Sequence, residues 1–198
     1  MPNLNKIIDL RSDTVTLPSH EMLNSINKAR LGDDVFQEDP SVNELEKKAA
    51  LIMKKEAALL VPSGTMGNLI SILVHCPRGT EIILGNKSHT FVYEAGGISA
   101  FGGIHSHQLN NNDDGTINLD EIENAIRDDN VHYPKTSAIS LENTHNMCFG
   151  SPIEIDYISS VSEIAKENNL KLHVDGARIF NAAIALDVDI KELVNDVD

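Results

Sequence analysis

The chain has 198 residues, 41% of them hydrophobic and 23% charged, with no tryptophan, enough for one sizeable core or a large domain with an appendage. Its acidic side chains outnumber its basic ones, 30 to 16, for a formal net charge of −14, which argues against nucleic acid or an anionic membrane surface as the main partner. No apolar run is long enough to span a bilayer, Met1 to Ile8 lacks the parts of a secretory signal, and Cys76 and Cys148 stand far apart with no CxxC pattern, so neither a disulfide framework nor a zinc site is expected in a chain whose default compartment is the cytosol.

Strands and helices alternate along the chain. Ser41-Val-Asn-Glu44 has the pattern of a capping box, and Val42, Leu45, Ala49, Ile52 and Met53 then recur at helical spacing. Ala57 to Val61, closed by Pro62, reads as a strand. Met66 to Cys76 carries Leu69, Ile72 and Leu73 on one face and reads as a helix. Glu81–Leu84, Ile104–Leu109 and Ala138–Leu141 are further strand candidates. Ile122, Ala125 and Ile126 mark one amphipathic helix, and Ile158, Val161, Ile164 and Ala165 another; Leu170–Val174 follows as a strand. Such alternation predicts an α/β fold, a mainly parallel sheet flanked by helices. The last helix candidate, Ile190 to Val194, runs into Asp196-Val-Asp198 with no closing element, so the sheet is expected to have an unfilled slot and the chain to be truncated at its C-terminus.

Several polar groups stand at the ends of these strands. Val61-Pro-Ser-Gly64-Thr65 joins a strand to a helix, where free backbone N–H groups, the helix dipole and two hydroxyls suit a phosphate; a plain structural turn explains the same residues. His89 follows the next strand. There an imidazole can lie on a planar cofactor or move a proton near neutral pH, with Glu94 close enough in sequence to orient it, although a lone histidine also serves as an ordinary hydrogen-bonded residue. Asp175, in Lys171-Leu-His-Val-Asp-Gly-Ala-Arg178, needs a cation if buried. The protonated ring nitrogen of pyridoxal phosphate is one such cation; capping of a helix that begins near Ala177 is the alternative. Asn110 to Glu121 imitates a calcium loop with asparagine in place of the opening aspartate, but the segment before it, Phe101 to His107, is not an amphipathic helix. A polar turn at Asp114-Gly115, with Asn118 and Glu121 capping a helix, accounts for it. His105 and His107 alternate on a strand without a third ligand, so no metal is expected there. Leu141-Glu-Asn-Thr-His-Asn146 and Asp9-Leu-Arg-Ser12-Asp13-Thr14 add more polar groups, and one shared cleft explains the whole set.

In order along the chain, Ile8-Asp-Leu-Arg-Ser-Asp-Thr-Val15, Gly32-Asp-Asp-Val35 with Glu38-Asp-Pro40, Ser63-Gly-Thr65, His89 to Gly97, Leu141 to Asn146 and His173 to Arg178 resemble the low-specificity L-threonine aldolases. These are aspartate aminotransferase-like (fold type I) pyridoxal phosphate enzymes. The resemblance implies a large domain of that fold over residues 1–198, incomplete, with about residues 1–40 contributing to the active site. It implies reversible cleavage of L-threonine or L-allo-threonine to glycine and acetaldehyde, other β-hydroxy-α-amino acids as further substrates, and a homotetramer. Gly64 and Thr65 would hold the cofactor phosphate, His89 would stack on its ring, and Asp175 would pair with the ring nitrogen. Ser12 and Arg178 would grip the substrate carboxylate, for which a guanidinium fork is suited. His132, in Val131-His-Tyr, matches a histidine placed near the substrate hydroxyl in bacterial relatives. Phe36 stands where the family has a tyrosine, so any role of that hydroxyl is lost.

One departure outweighs the others. The family's Schiff-base lysine lies in a Ser-Lys-Gly type segment beyond Asp-Gly-Ala-Arg, and no such segment occurs here. Lys191, in Ile190-Lys-Glu-Leu, is the last lysine and has none of the expected neighbours. By itself the chain is therefore expected to be the inactive front part of an aldolase. The rival expectations are another fold type I reaction, β-elimination or transamination, and a non-catalytic binding protein.

Overall fold

Four short runs become parallel strands: β1 (Glu81–Gly85), β2 (His105–Leu109), β3 (Thr136–Glu142) and β4 (Lys171–Asp175). They form one sheet in the order β2-β1-β3-β4. A computed structural model describes residues 8–198; Met1 to Ile7, read above for a signal and as the opening of the N-terminal segment, lie outside the described residues. β1 pairs with β2 from Glu81↔His105 to Gly85↔Leu109, and β3 with β4 from Ala138↔Lys171 to Glu142↔Asp175. Parallel neighbours need crossovers, usually through helices. In chain order the helices are α1 (His20–Asn27), α2 (Pro40–Met53), α3 (Gly64–His75), α4 (His89–Val92), α5 (Gly97–Ala100), α6 (Leu119–Ala125), α7 (Ile155–Glu167), α8 (Ile179–Leu186) and α9 (Ile190–Leu193). No helix is long and apolar enough to cross a membrane among the described residues.

The two-residue period of the strands divides the core. Ile83, Ile139, Leu141 and Leu172 face one side and pack with Ile122 of α6, Val161 of α7, Ala182 of α8 and Leu193 of α9. Ile82, Leu84 and Ala138 face the other side and pack with Ile72 of α3 and Ile98 of α5. Alternation along β4 then aims His173 and Asp175 to the α3 side, and both meet Asn68 of that helix.

Two expectations are corrected. Ala57–Val61 is not a strand. Its Leu60 N–H donates to the Glu46 carboxylate of α2 at 2.7 Å rather than to a neighbouring strand. The outer edge of β4 meets Asp198 instead, whose N–H donates to the Leu172 carbonyl and whose carboxylate accepts from the Leu172 N–H, both at 3.0 Å. Nor does Ser41 open a capping box. Asp39 is the N-cap of α2, accepting from the Ser41 and Val42 N–H groups, with Pro40 as the first helical residue. Proline's fixed φ and missing N–H favour that position, and the Ser41 hydroxyl turns back to the Arg30 carbonyl. The pseudo-calcium loop is the expected polar turn: Asn111 bridges to Ile117, Gly115 has φ +89°, and the Asn118 side chain caps α6.

Glu81, with no exposed surface, begins β1 at the end of the sheet away from Asp175. Its carboxylate accepts from Arg127 Nε at 3.0 Å and from the Thr136 hydroxyl at 2.9 Å, and faces His107 Nδ1 at 3.3 Å. Glu81→Ala strands the Arg127 charge. It should cost about 3 kcal/mol in urea unfolding, the lower end for a broken buried pair because Arg127 keeps some access to water. A loss below about 1 kcal/mol, the level of an exposed pair, would show that the cluster carries little net stability.

Candidate active site

Connections leave β1 and β3 toward opposite edges of the sheet, and at such a switch point a crevice opens beyond the carboxyl ends of the strands. A cleft of about 300 Å³ lies there. Gly64, Thr65 and Asn68 of α3 line it, with His89 and Glu94 from the chain after β1 and Glu142 from the end of β3. Asp175, Ala177 and Arg178 enter from the end of β4, and Asp13 and Thr14 from the N-terminal segment. A larger hollow of about 660 Å³ lies against α2 and residues 55–59. It has none of the strand-end groups, so chemistry selects the smaller cleft.

At the start of α3, Ser63 caps the Met66 N–H at 3.2 Å. The N–H groups of Gly64 and Thr65 belong to the first turn and have no intrahelical partner. Both residues are exposed at the cleft, and a Cβ at Gly64 would meet nothing within 4 Å. An anion can therefore come directly onto the backbone, where the dipole favours it.

Asp175 is buried. Its Oδ2 accepts from Asn68 Nδ2 at 2.9 Å and its Oδ1 from the Ala177 N–H at 3.1 Å. Two donors offset part of a burial penalty of several kcal/mol and leave lone pairs toward the cleft. The helix-cap alternative does not hold. α8 starts at Ile179 with Arg178 in the cap position, so the Ala177 contact is a local turn. Half-buried His89 has Nδ1 2.9 Å from Glu94 Oε1, while its backbone N–H donates to Glu142 Oε2 at 2.7 Å. An ionised carboxylate only accepts, so Glu94 places the proton of a neutral imidazole on Nδ1 and leaves Nε2 a free base. His89, Glu94 and Asp175 offer ligand atoms within 4.8 Å of one another, as a metal centre would. The Asn68 amide, bonded to both carboxylates, accounts for that closeness.

Arg178 already holds a carboxylate. Its Nε lies 2.5 Å from Asp13 Oδ2 and its Nη2 2.7 Å from Asp13 Oδ1, a bidentate fork. Of the remaining expected residues, Ser12 does not line the cleft; its hydroxyl accepts from the Thr14 N–H and caps a 3₁₀ turn over Asp13–Val15. His132 is not brought to the cleft either. It is exposed in the loop before β3, at the amino end of the strands, with its N–H on Asn130. Lys191 is exposed on α9 and paired with Asp189 at 2.7 Å. Sequence reasoning missed Asn68. Its signal was an amide set into the apolar pattern of Met66, Leu69, Ile72 and Leu73.

The model of the beta-eliminating lyase family matches residues 9–198. The chain belongs to that family. Among family relatives, low-specificity L-threonine aldolase 1 of Arabidopsis thaliana is 52% identical over 194 residues, 96% of this chain and 54% of that protein. The low specificity L-threonine aldolase of Escherichia coli (strain K12) is 45% identical over 192 residues, 97% of this chain and 57% of that one. A solved threonine aldolase of Leishmania major superposes with a TM-score of 0.76 at 20% identity, covering 90% of this chain and 52% of its own, and shows a shared fold. The chain spans about half the length of the curated relatives it matches.

The Arg178 guanidinium holds the Asp13 carboxyl at about 2, well below the usual range. The sign follows: the depressed group ties the N-terminal segment to the end of β4 fully above about pH 4, and the tie is lost as the pH falls through about 2. Carboxyl ¹³C NMR should give that midpoint, and Arg178→Ala should return it to roughly 4. An ordinary midpoint in the unaltered chain would mean that the pair does not form in solution.

Proposed function

We propose that the protein, at the length of its relatives, is a pyridoxal phosphate-dependent aldolase that cleaves L-threonine and L-allo-threonine to glycine and acetaldehyde. One observation carries this reading: in a chain 52% identical to a threonine aldolase, a helix start open to anions, a half-buried imidazole, a fixed carboxylate and an arginine fork share a single cleft. These groups fit the parts of the cofactor. The Gly64 and Thr65 N–H groups and the Thr65 hydroxyl suit its phosphate, His89 the face of its ring, and Asp175 the ring nitrogen. When bound, the cofactor supplies an electron sink for the carbanion left by breaking the Cα–Cβ bond.

The protein's own part is binding and proton handling. Arg178 takes the substrate carboxylate in place of Asp13, and its fork sets the amino acid's orientation. His89, its Nδ1 proton held by Glu94, keeps Nε2 available to accept the proton of the β-hydroxyl. His132, at the far end of the sheet, has no access to that proton within this chain. Asp175 keeps the ring nitrogen protonated. Homo-oligomerisation and a cytosolic setting belong to the same proposal.

The test is Asp175→Asn in a chain of the relatives' full length, assayed for acetaldehyde from L-threonine. Side-chain size is kept and charge removed, so kcat should fall by roughly 10²–10³ in a protein that stays folded, the thermal midpoint dropping modestly because the new NH2 meets either the Asn68 amide or the Ala177 N–H. Near-normal turnover would remove Asp175 from the chemistry. Ammonia or a keto acid in place of acetaldehyde would mark β-elimination or transamination on the same site. In residues 1–198 alone, binding of pyridoxal phosphate should be weak. Borohydride should not fix it on Lys191, whose amine is paired outside the cleft; stoichiometric labelling there would overturn that placement.

A further inference from the structure

Asn68 does more than fill the apolar face of α3. It is buried, and all its polar atoms are engaged. Nδ2 donates one hydrogen to Glu94 Oε1 at 2.8 Å and the other to Asp175 Oδ2 at 2.9 Å. Oδ1 lies 3.0 Å from His173 Nε2. The amide can face only one way, because turning it over would set its oxygen against two carboxylates and its NH2 against the imidazole. Oδ1 can only accept, so His173 must carry its proton on Nε2.

The two carboxylates point into one cleft with ligand oxygens within 4.8 Å of each other. Their mutual repulsion would otherwise turn one of them away or take up a proton. Glu94 in turn holds His89 Nδ1. We propose that Asn68 is a positioning residue of the site: a single amide, oriented by His173, sets Asp175 toward the cofactor ring and, through Glu94, fixes the tautomer of His89. The role rests on the aldolase reading, but the geometry can be tested without cofactor or substrate.

His173 is the reporter. Dense surroundings push it down to about 4; Asp175 on the same strand opposes that shift, and His75 of α3 adds to it. In ¹⁵N NMR of the chain as it stands, His173 should be a single neutral Nε2–H tautomer from pH 5 to 8, and His89 a single Nδ1–H tautomer at pH 8. Asn68→Asp keeps the shape but turns a double donor into an acceptor. It should move the His173 midpoint above roughly 5, as a carboxylate beside an imidazole does. Asn68→Leu removes the amide without adding charge, and should convert His89 to a mixture of tautomers as Glu94 loosens. Circular dichroism checks that each variant is folded; if the leucine variant is not, the isosteric aspartate still decides. Unchanged His173 and His89 signals in a folded variant would overturn the proposal. So would a wild-type His173 protonated on Nδ1.

The full-length protein supplies the second arm. Asn68→Asp should weaken pyridoxal phosphate binding about tenfold or more, the effect of losing one charge-assisted hydrogen bond, and should lower kcat more than it raises KM. Binding within twofold of wild type would overturn the role assigned to Asn68. A wild-type protein that binds the cofactor but makes no acetaldehyde would instead overturn the aldolase reading, leaving the hydrogen-bond network as the NMR found it.

Discussion

The arrangement turns on a buried carboxylate at the end of a parallel strand. Asp175 is largely shielded from water by α3 and by its own strand, open only toward the cleft, and Asn68 and the Ala177 N–H stabilise its charge from two sides. Both donors are products of the fold. One comes from a helix packed across the sheet and the other from the tight turn that follows β4. Cluster, cleft and strand order are therefore one design: the split between β1 and β3 opens the crevice, and the pleat of β4 aims Asp175 into it.

Much of this was legible in the residues. β1, β3 and β4 were visible as short apolar runs, β2 as a strand candidate carrying the alternating His105 and His107, and α3, α6, α7 and α9 as amphipathic or apolar segments, because burial imposes its period on the side chains. His89, Asp175 and Arg178 stood out as polar groups after strands and Gly64 and Thr65 as the start of a helix, and the fold draws these into one cleft. What escaped notice depended on pairing. Ala57–Val61 has the apolar content of a strand, but a strand exists only beside a partner, and the Leu60 N–H found a carboxylate first. Ser41 and Glu44 spell a capping box, yet Asp39-Pro40 just ahead makes a better start for the same helix. His132 was picked out by resemblance of its neighbours, and no local signal indicates which end of a strand a loop residue will occupy.

Asn68 shows a different limit. Sequence periodicity marks a polar residue on an apolar face as an exception without saying what it answers to. The three groups that it bonds come from β4 and from the chain after β1, 26 to 107 positions away. Long-range hydrogen bonding of this kind becomes readable only once the sheet has brought those segments together.

The Asp13–Arg178 pair has one more implication. Asp13 is tethered within the same molecule, so it faces Arg178 at an effective concentration set by the path of the chain, on the millimolar scale for short flexible connections and higher for ordered ones. On the proposed function, an amino acid entering the cleft would compete with a carboxylate that never diffuses away. Its apparent affinity is its intrinsic affinity scaled down by the fraction of time that the arginine is released. Small monocarboxylates without further contacts cannot win that competition at ordinary concentrations. On that reading the arginine fork would be kept for ligands that bring binding energy from elsewhere in the cleft.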